Sequence, residues 1–359
     1  MIPPGIHYIY FSVTDKYGNL GMRNGFFHNF KLKEVLAKKW NQQAESLDEY
    51  VYTNAELDRF RENRRDLDKF LGPYPFDEYK RWISLANNLD ETFLLKLIPN
   101  SKIISSASIL VGQPFCTNKA KESMIVTNEE TEMKTKEDVI KPELFTIPNS
   151  LEEAEKRLPE MQQVKSEQIH FSKIPVQAYP PGSTPIEITK HSIDKTYRLE
   201  LLLSLLKSEL NETEINSLHI LCELQFSFIC FLIGQVYEAF EQWKSLLSLL
   251  CNSEDAIHKY PNMYIQLIQV LFFQLKEMPQ DFFTDIITSN NFLVVNLHNL
   301  FNNIKCVFDL YSNKNESKEN LNLIRNLNEK CDKFKNFLEE KFKFNFDLEP
   351  DEYAPVVCN

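Results

Sequence analysis

The sequence predicts an α+β chain: a β-rich N-terminal domain that also carries helices, then a linker, then an all-α domain. Three observations carry that expectation. Four of the eight glycines lie in the first 25 residues and only Gly234 lies beyond 182, so turns cluster early and helices late. Seven of the seventeen prolines fall between 142 and 185, which marks the linker. From Thr184-Pro185, a cap followed by a first-turn proline, apolar residues recur at helical spacing almost to the end. The expected parts are 1–112, a flexible linker at 113–183, a helical domain at 184–340 and an extended tail at 341–359.

In the first part, GIHYIYFSV (5–13) is β-branched and aromatic, as a strand requires. Gly18-Asn19 and Asn24-Gly25 signal turns, GFFHNF (25–30) a second strand and VLAKKW (35–40) a third. Asn54 is expected to cap a helix carrying Leu57, Phe60, Leu67 and Phe70 and stopped by Gly72. FLGPYPFDEYKRWISL (70–85) predicts a proline-pinned turn and a helix with Tyr79, Trp82, Ile83 and Leu85 inward. KIISSASILV (102–111) returns as a strand.

Within the linker, 117–138 is polar and charged. Ser150 with Glu153 forms a capping box for a short helix over 151–158, and 168–182 is extended. Helices are expected at 185–192, 194–209, 214–233, 235–251, 261–276, 279–288, 291–308 and 316–340. Short connections imply antiparallel neighbours.

The stretch ELQFSFICFLIGQVYEAFEQWKSLLSLL (223–250) has no charge between Glu223 and Glu238. A membrane span needs about 20 mostly apolar residues. Here Gln225, Ser227, Gly234 and Gln235 interrupt the run, and beyond Gly234 a polar stripe of Glu238, Glu241, Gln242, Ser245 and Ser248 appears. That is the exposed face of an amphipathic helix, with Val236, Phe240, Trp243, Leu247 and Leu250 opposite. The segment is therefore expected to be soluble core, with Gly234 at a break or close approach between two helices.

The formal charge of −11 disfavours a broad nucleic-acid-binding face and suits a basic protein partner. Seven scattered cysteines without a C-x-x-C pair, and an N-terminus without a basic n-region, predict a soluble protein with reduced thiols in the cytoplasm or nucleus. None of the seven histidines forms an HxxxH or HExxH pair, and GxGxxG, GxxxxGK[ST] and GxSxG are absent. No enzyme activity, metal or cofactor is expected. His219 and His298 are expected to be partly buried with one hydrogen bond each.

KFKFNFD (341–347) alternates with period two: Phe342, Phe344 and Phe346 share one side. As a strand it could add to the edge of a partner's sheet. Alternatively its phenylalanines pack on the chain's own helices, and Phe342 also continues the helical stripe four residues after Leu338. The acidic residues Asp347, Glu349, Asp351 and Glu352 follow. FLGPYP offers the same choice between interface anchors and a structural turn, and there the structural turn is favoured.

MIPPGIHYIYFS, GFFHNF, FLGPYPFDEYKRWISL, RLPEM, STPIEITKHSIDKTYRLE, ELQFSFICFLIGQVYEAFEQWKSLLSLLC, MPQDFFTDI and KFKFNFDLEPDEYAPVV together resemble the Aar-two splicing-factor family. The matches run nearly end to end and are weakest at 41–54, 112–150 and 311–330. The resemblance implies a non-enzymatic assembly factor of the U-five small nuclear ribonucleoprotein. It implies binding to the Prp-eight scaffold through that protein's RNase H-like and Jab/MPN-like domains, with the Brr-two helicase later taking its place. It also implies a VHS-like helical superhelix and a tail that adds to the partner's sheet. On this chain, the tail would place Phe342, Phe344, Phe346, Tyr353, Val356 and Val357 at the interface. Family chains carry further strands before the segment matching MIPPG. The N-terminal domain is thus expected to lack its first strands, and an extended version to melt higher. The alternative from fold alone is a VHS-like peptide-binding trafficking adaptor, and the net charge disfavours anionic membranes.

Overall fold

The structure is a computed structural model. It describes residues 2–106 (apart from 15, 44–45, 49–51, 64–65, 67–68 and 70–71), 168–280, 282, 292–312 and 318–346. Met1–Ala107 and Ile169–Asn359 form one compact unit; the second, Ser108–Gln168, falls almost wholly outside the described residues. The architecture is α+β, a small N-terminal sheet region followed by a largely helical part.

Strand β1 (Gly5–Thr14) pairs antiparallel with β2 (Leu20–Phe30), with Tyr8 opposite Phe27 and Tyr10 opposite Gly25. The second strand starts five residues before the expected GFFHNF, because Asn24-Gly25, expected as a turn, lies inside it opposite Phe11 and Tyr10, and pairing resumes at Leu20. VLAKKW forms no full strand: only β3 (Trp40–Asn41) pairs, with β4 (Ser46–Leu47). Helix α1 (Asn54–Glu62) is capped by Thr53, one residue before the expected Asn54, in a reciprocal capping box with Glu56. It ends at Asn63, short of Gly72.

A 3-10 turn at Phe76–Glu78 leads into α2 (Tyr79–Ala86). Leu85 is buried as expected, but Ile83 is 45% exposed. The face that turns inward carries Trp82, whose indole N–H donates to the Ile6 carbonyl at 2.9 Å and so fixes α2 on β1. His7 stacks on Trp82 and Tyr79 and bonds the Pro3 carbonyl; burial lowers its pKa, so it is a neutral structural ring. A further helix, α3 (Glu91–Leu97), is capped by Asp90 and buries Phe93, Leu94 and Leu97. Of KIISSASILV, β5 (Ile104–Ser105) pairs with β2, giving the sheet order β1-β2-β5.

The helical part comprises α4 (Pro185–Ile193), α5 (Thr196–Glu209), α6 (Leu218–Leu232), α7 (Tyr237–Cys251), α8 (Glu254–Lys259), α9 (Pro261–Glu277), α10 (Phe292–Ser312) and α11 (Lys318–Phe342). Thr184 caps α4 with Glu187 and Pro185, as the sequence predicts. Of the expected 279–288 helix, 283–288 lies outside the described residues. Helix α6 is buried on every side from His219 to Cys230, and no described helix is long and apolar enough to cross a membrane. α2 and α3 pack on α6, so the N-terminal part shares its core.

Gly234 is both the break and the close approach that its sequence context predicts. The chain leaves α6 there, with Gln235 in the left-handed region at φ 58°. A β-carbon on Gly234 would lie 2.5 Å from the Cys230 carbonyl oxygen and 2.8 Å from the Tyr8 hydroxyl. One on Gly25 would meet the same hydroxyl at 2.4 Å. Two glycines thus open the slot through which Tyr8 seats the hairpin. Arg23 completes the seat, donating from Nη1 to the Ile233 carbonyl at 2.8 Å, the end of α6 where a cation is favoured.

A strap at 169–172 lies along α3, α6 and α7. The His170 N–H donates to the Leu97 carbonyl, and Ile169 and Ser172 are buried. Glu223, fully buried on α6, holds it: Oε1 accepts from the Ser172 N–H at 2.8 Å and from Gln242 Nε2 at 2.9 Å. The Gln242 amide also donates to the Ser172 carbonyl. Burial pushes the Glu223 carboxyl upward, against the opposing hydrogen bonds of Ser172 and Gln242 and the charge of Lys96.

The folded state therefore keeps a proton that the unfolded chain releases. Stability falls as pH rises from the ordinary carboxylate range of about 4.3 through the raised folded value. Glu238 and Glu254, also raised by burial, share that sign, so the informative quantity is a difference between two proteins. Glu223→Gln keeps an acceptor for both donors and cannot ionise. Thermal melts between pH 4.5 and 8 should show a shallower decline for the variant, which should melt at or above the wild type at the alkaline end. Parallel curves for the two proteins would refute the assignment.

Candidate partner-docking site

The stripe Ile324, Leu327, Cys331, Phe334 and Leu338 runs buried down α11, with Leu321 half-buried at its start. The next position, four residues on, is Phe342, and the helix continues to it. The strand expected over 341–347 is therefore not formed. Lys341 and Phe342 are helical, and 343–346 pairs with no strand among the described residues. Helical burial of Phe342 overrides the local period of two.

Lys343 adopts φ 59°, the left-handed turn that commonly ends a helix and favours glycine. It reverses the chain so that Phe344 and Phe346 fold back. Phe344 stacks on Phe342 with centroids 5.2 Å apart, and Phe346 meets Phe301 of α10 edge-on at 5.0 Å. Phe342 is 8% and Phe346 5% exposed, while Phe344 is half-buried. Lys341 anchors this root by donating to the Leu275 and Lys276 carbonyls, at 2.8 and 2.6 Å, at the C-terminal end of α9. Burial lowers its pKa, partly opposed by the charge of Glu277.

The structure thus brings Phe342, Phe344 and Phe346 together, facing the chain's own core. Tyr353, Val356 and Val357 lie outside the described residues. The partners Phe301 and Lys341 carry no periodic signal that sequence reasoning could use. Lys343→Gly should raise stability by roughly 1 kcal/mol by removing the strain of a left-handed side chain. The midpoint of urea unfolding checks this, and a lower midpoint would contradict it.

Other candidates prove structural. In FLGPYP, Tyr74 turns inward against His7 while Phe76 is 59% exposed; Phe70 and Leu71 lie outside the described residues. His219 is buried, stacks on Phe93 at 4.8 Å and bonds Asn216; His298 is buried and bonds Asn302. Cys222, Cys230, Cys251 and Cys331 are buried, and burial raises their thiols, which makes them poor nucleophiles. Among the described residues no group of His, Cys, Asp or Glu is placed to hold a metal ion.

Fold and site define an α+β protein whose last described helix ends in an aromatic clasp of Phe342, Phe344, Phe346 and Phe301. Family models for the AAR2 N-terminal domain and the AAR2 C-terminal repeat region match residues 1–99 and 171–347. The chain is 40% identical to mouse protein AAR2 homolog, spanning 99% of this chain and 85% of that one. It is 37% identical to the human homolog over the same shares, and 30% identical to that of Caenorhabditis elegans over 97% and 87%. The chain belongs to the AAR2 family, which makes it a splicing-related protein.

Proposed function

We propose that this protein is a non-enzymatic assembly factor of the U-five small nuclear ribonucleoprotein. In this reading it binds the Prp-eight scaffold through that protein's RNase H-like and Jab/MPN-like domains, and works in the cytoplasm and nucleus. The observation that carries the reading is the family match at both ends of the chain. The docking portion of the tail is the part beyond Phe346, because a ring held in the chain's own core is not offered to a partner. There Tyr353, Val356 and Val357 would supply side chains for pockets, and the backbone, on docking as a strand, hydrogen bonds to a sheet edge. The acidic run from Asp347 to Glu352 suits a basic rim. Phe344, half-buried at the root, sits where tail and body meet.

The test in cells is immunopurification of the tagged full chain. Prp-eight should be recovered in stoichiometric amount, and the Brr-two helicase should be depleted relative to mature particles. Recovery without Prp-eight would overturn the proposal.

A further inference from the structure

A cavity of about 560 Å³ opens between the 174–176 segment and helices α5 and α7. Its charged lining is Lys195, Arg198, Lys244 and Glu241. Lys244 is neutralised by Glu241 at 2.7 Å. Among the described residues, neither Lys195 nor Arg198 has a carboxylate within ion-pair distance. Lys195 Nζ donates only to the Ser248 hydroxyl at 3.2 Å, and Arg198 Nη2 reaches the Val176 carbonyl at a long 3.4 Å. Arg198 Nε is buried with no acceptor. Burial, then the neighbouring Arg198 charge, pushes the Lys195 ammonium downward. Two cations that repel one another are therefore held together in a chain whose net charge is −11.

The position of Lys195 is fixed by the backbone around it. Its N–H donates to the Asn252 carbonyl at 2.8 Å. The preceding Asp194, buried, accepts from Thr196 and from the Glu254 N–H, tying the start of α5 to α8. The backbone that carries Lys195 is thus fixed before any ligand arrives, which lowers the entropic cost of presenting its ammonium group. Ser248, whose hydroxyl accepts from Lys195, can donate its own proton into the same lining, whereas the Ser245 hydroxyl donates to the Glu241 carbonyl.

The lining also carries the apolar side chains Ile174, Val176 and Phe292. Val176 is 93% exposed, an unusual state for a large aliphatic residue beside a pocket. A ligand matching this lining carries a compact anion of about two charges beside an apolar group. A phosphomonoester carries about −1.5 to −2 charges at neutral pH and accepts several charge-assisted hydrogen bonds. An inorganic polyanion would leave the apolar side chains unused, and a carboxylate would leave one cation uncompensated.

We propose that this pocket binds a phosphorylated serine or threonine side chain on an extended peptide, with the residue beside it packed on Ile174, Val176 and Phe292. The pocket's lining shares no residue with the tail on which the proposed scaffold contact rests.

The test uses the full chain and four probes: the peptide Ala-Leu-Ser-Leu-Ala with and without phosphate on its serine, phenyl phosphate, and inorganic phosphate. Isothermal titration at pH 7.5 and low salt should show the phosphopeptide binding at least about tenfold tighter than its unphosphorylated form and than inorganic phosphate. Phenyl phosphate should fall between. Binding should weaken as pH drops through about 6, where the phosphate takes up its second proton. Arg198→Met should cost at least about tenfold in phosphopeptide affinity while leaving the melting temperature unchanged or higher, because it removes a repulsion. Lys195→Gln provides a second variant with the same expectation. Equal binding of the two peptides, no binding by any probe, or full binding retained by both variants would overturn the proposal. Inorganic phosphate binding as tightly as the phosphopeptide would overturn its assignment to a peptide.

Discussion

Ending the chain at Glu340 lowers its stability by about 3–6 kcal/mol, counting about 1.5–3 kcal/mol for each of two phenylalanine rings lost from the core. The rings are Phe342 and Phe346, both buried, with Phe346 against Phe301 of α10 and Phe342 against Phe344. The same cut removes Lys341 and leaves the Leu275 and Lys276 carbonyls at the end of α9 without their donor. A chain ending at Phe346 keeps all three groups and should unfold within a few tenths of a kcal/mol of the full chain. Urea unfolding of the two truncations beside the full chain separates them. Coincident midpoints for the versions ending at 340 and 346 would show that the phenylalanines contribute nothing to the fold. The consequence for function is direct. Lost partner binding after a cut at Glu340 reports damage to the helical core, whereas a cut at Phe346 isolates the tail.

Gly234→Ala should cost about 3 kcal/mol, the upper end for overpacking, because one of the colliding atoms is backbone. The added carbon would lie 2.5 Å from the Cys230 carbonyl oxygen, within the last turn of α6, so a side-chain rotation cannot relieve it. It would also press on the Tyr8 hydroxyl, which sits in the slot between Gly25 and Gly234. Burial raises the Tyr8 phenol, and among the described residues its oxygen has no hydrogen-bond partner. Tyr8→Phe alone should therefore be neutral or stabilising, since it removes a buried polar atom that nothing satisfies. Combined with Gly234→Ala it should recover part of the loss, the part owed to the hydroxyl. A double-mutant cycle measured by thermal melting checks both statements. Strict additivity would mean that Tyr8 and Gly234 do not share the slot.

The hairpin seat shows how far sequence reasoning reaches. GIHYIYFSV and GFFHNF are legible as strands because β-branched and aromatic residues with flanking glycines have few other uses. That Gly234 separates two helices and lies at a close approach is legible from composition. Which residue approaches it is not, because Tyr8 lies more than two hundred residues away and no local pattern links them. Buried Glu223 is similarly opaque. It stands at the edge of an uncharged run, and only the fold reveals that the Ser172 N–H and Gln242 converge on it. At the tail, two periodicities overlap. The alternation of Phe342, Phe344 and Phe346 suggests a strand, while the spacing from Leu338 to Phe342 suggests helix. The structure resolves the overlap by continuing α11 to Phe342 and reversing at Lys343. A left-handed lysine is invisible to a reading that looks for glycine at helix ends. The basic pocket is not legible in the sequence because Lys195 and Arg198, at the start of α5, meet Lys244 of α7 only in the fold.

The most direct measurement of the central claim is titration of the RNase H-like domain of the organism's own Prp-eight with the full chain and with a chain ending at Phe346. Size-exclusion chromatography establishes the stoichiometry. The account predicts a one-to-one complex with the full chain, and affinity lower by at least about tenfold when residues 347–359 are removed from an equally stable protein. No complex between the full chain and either the RNase H-like or the Jab/MPN-like domain would contradict it.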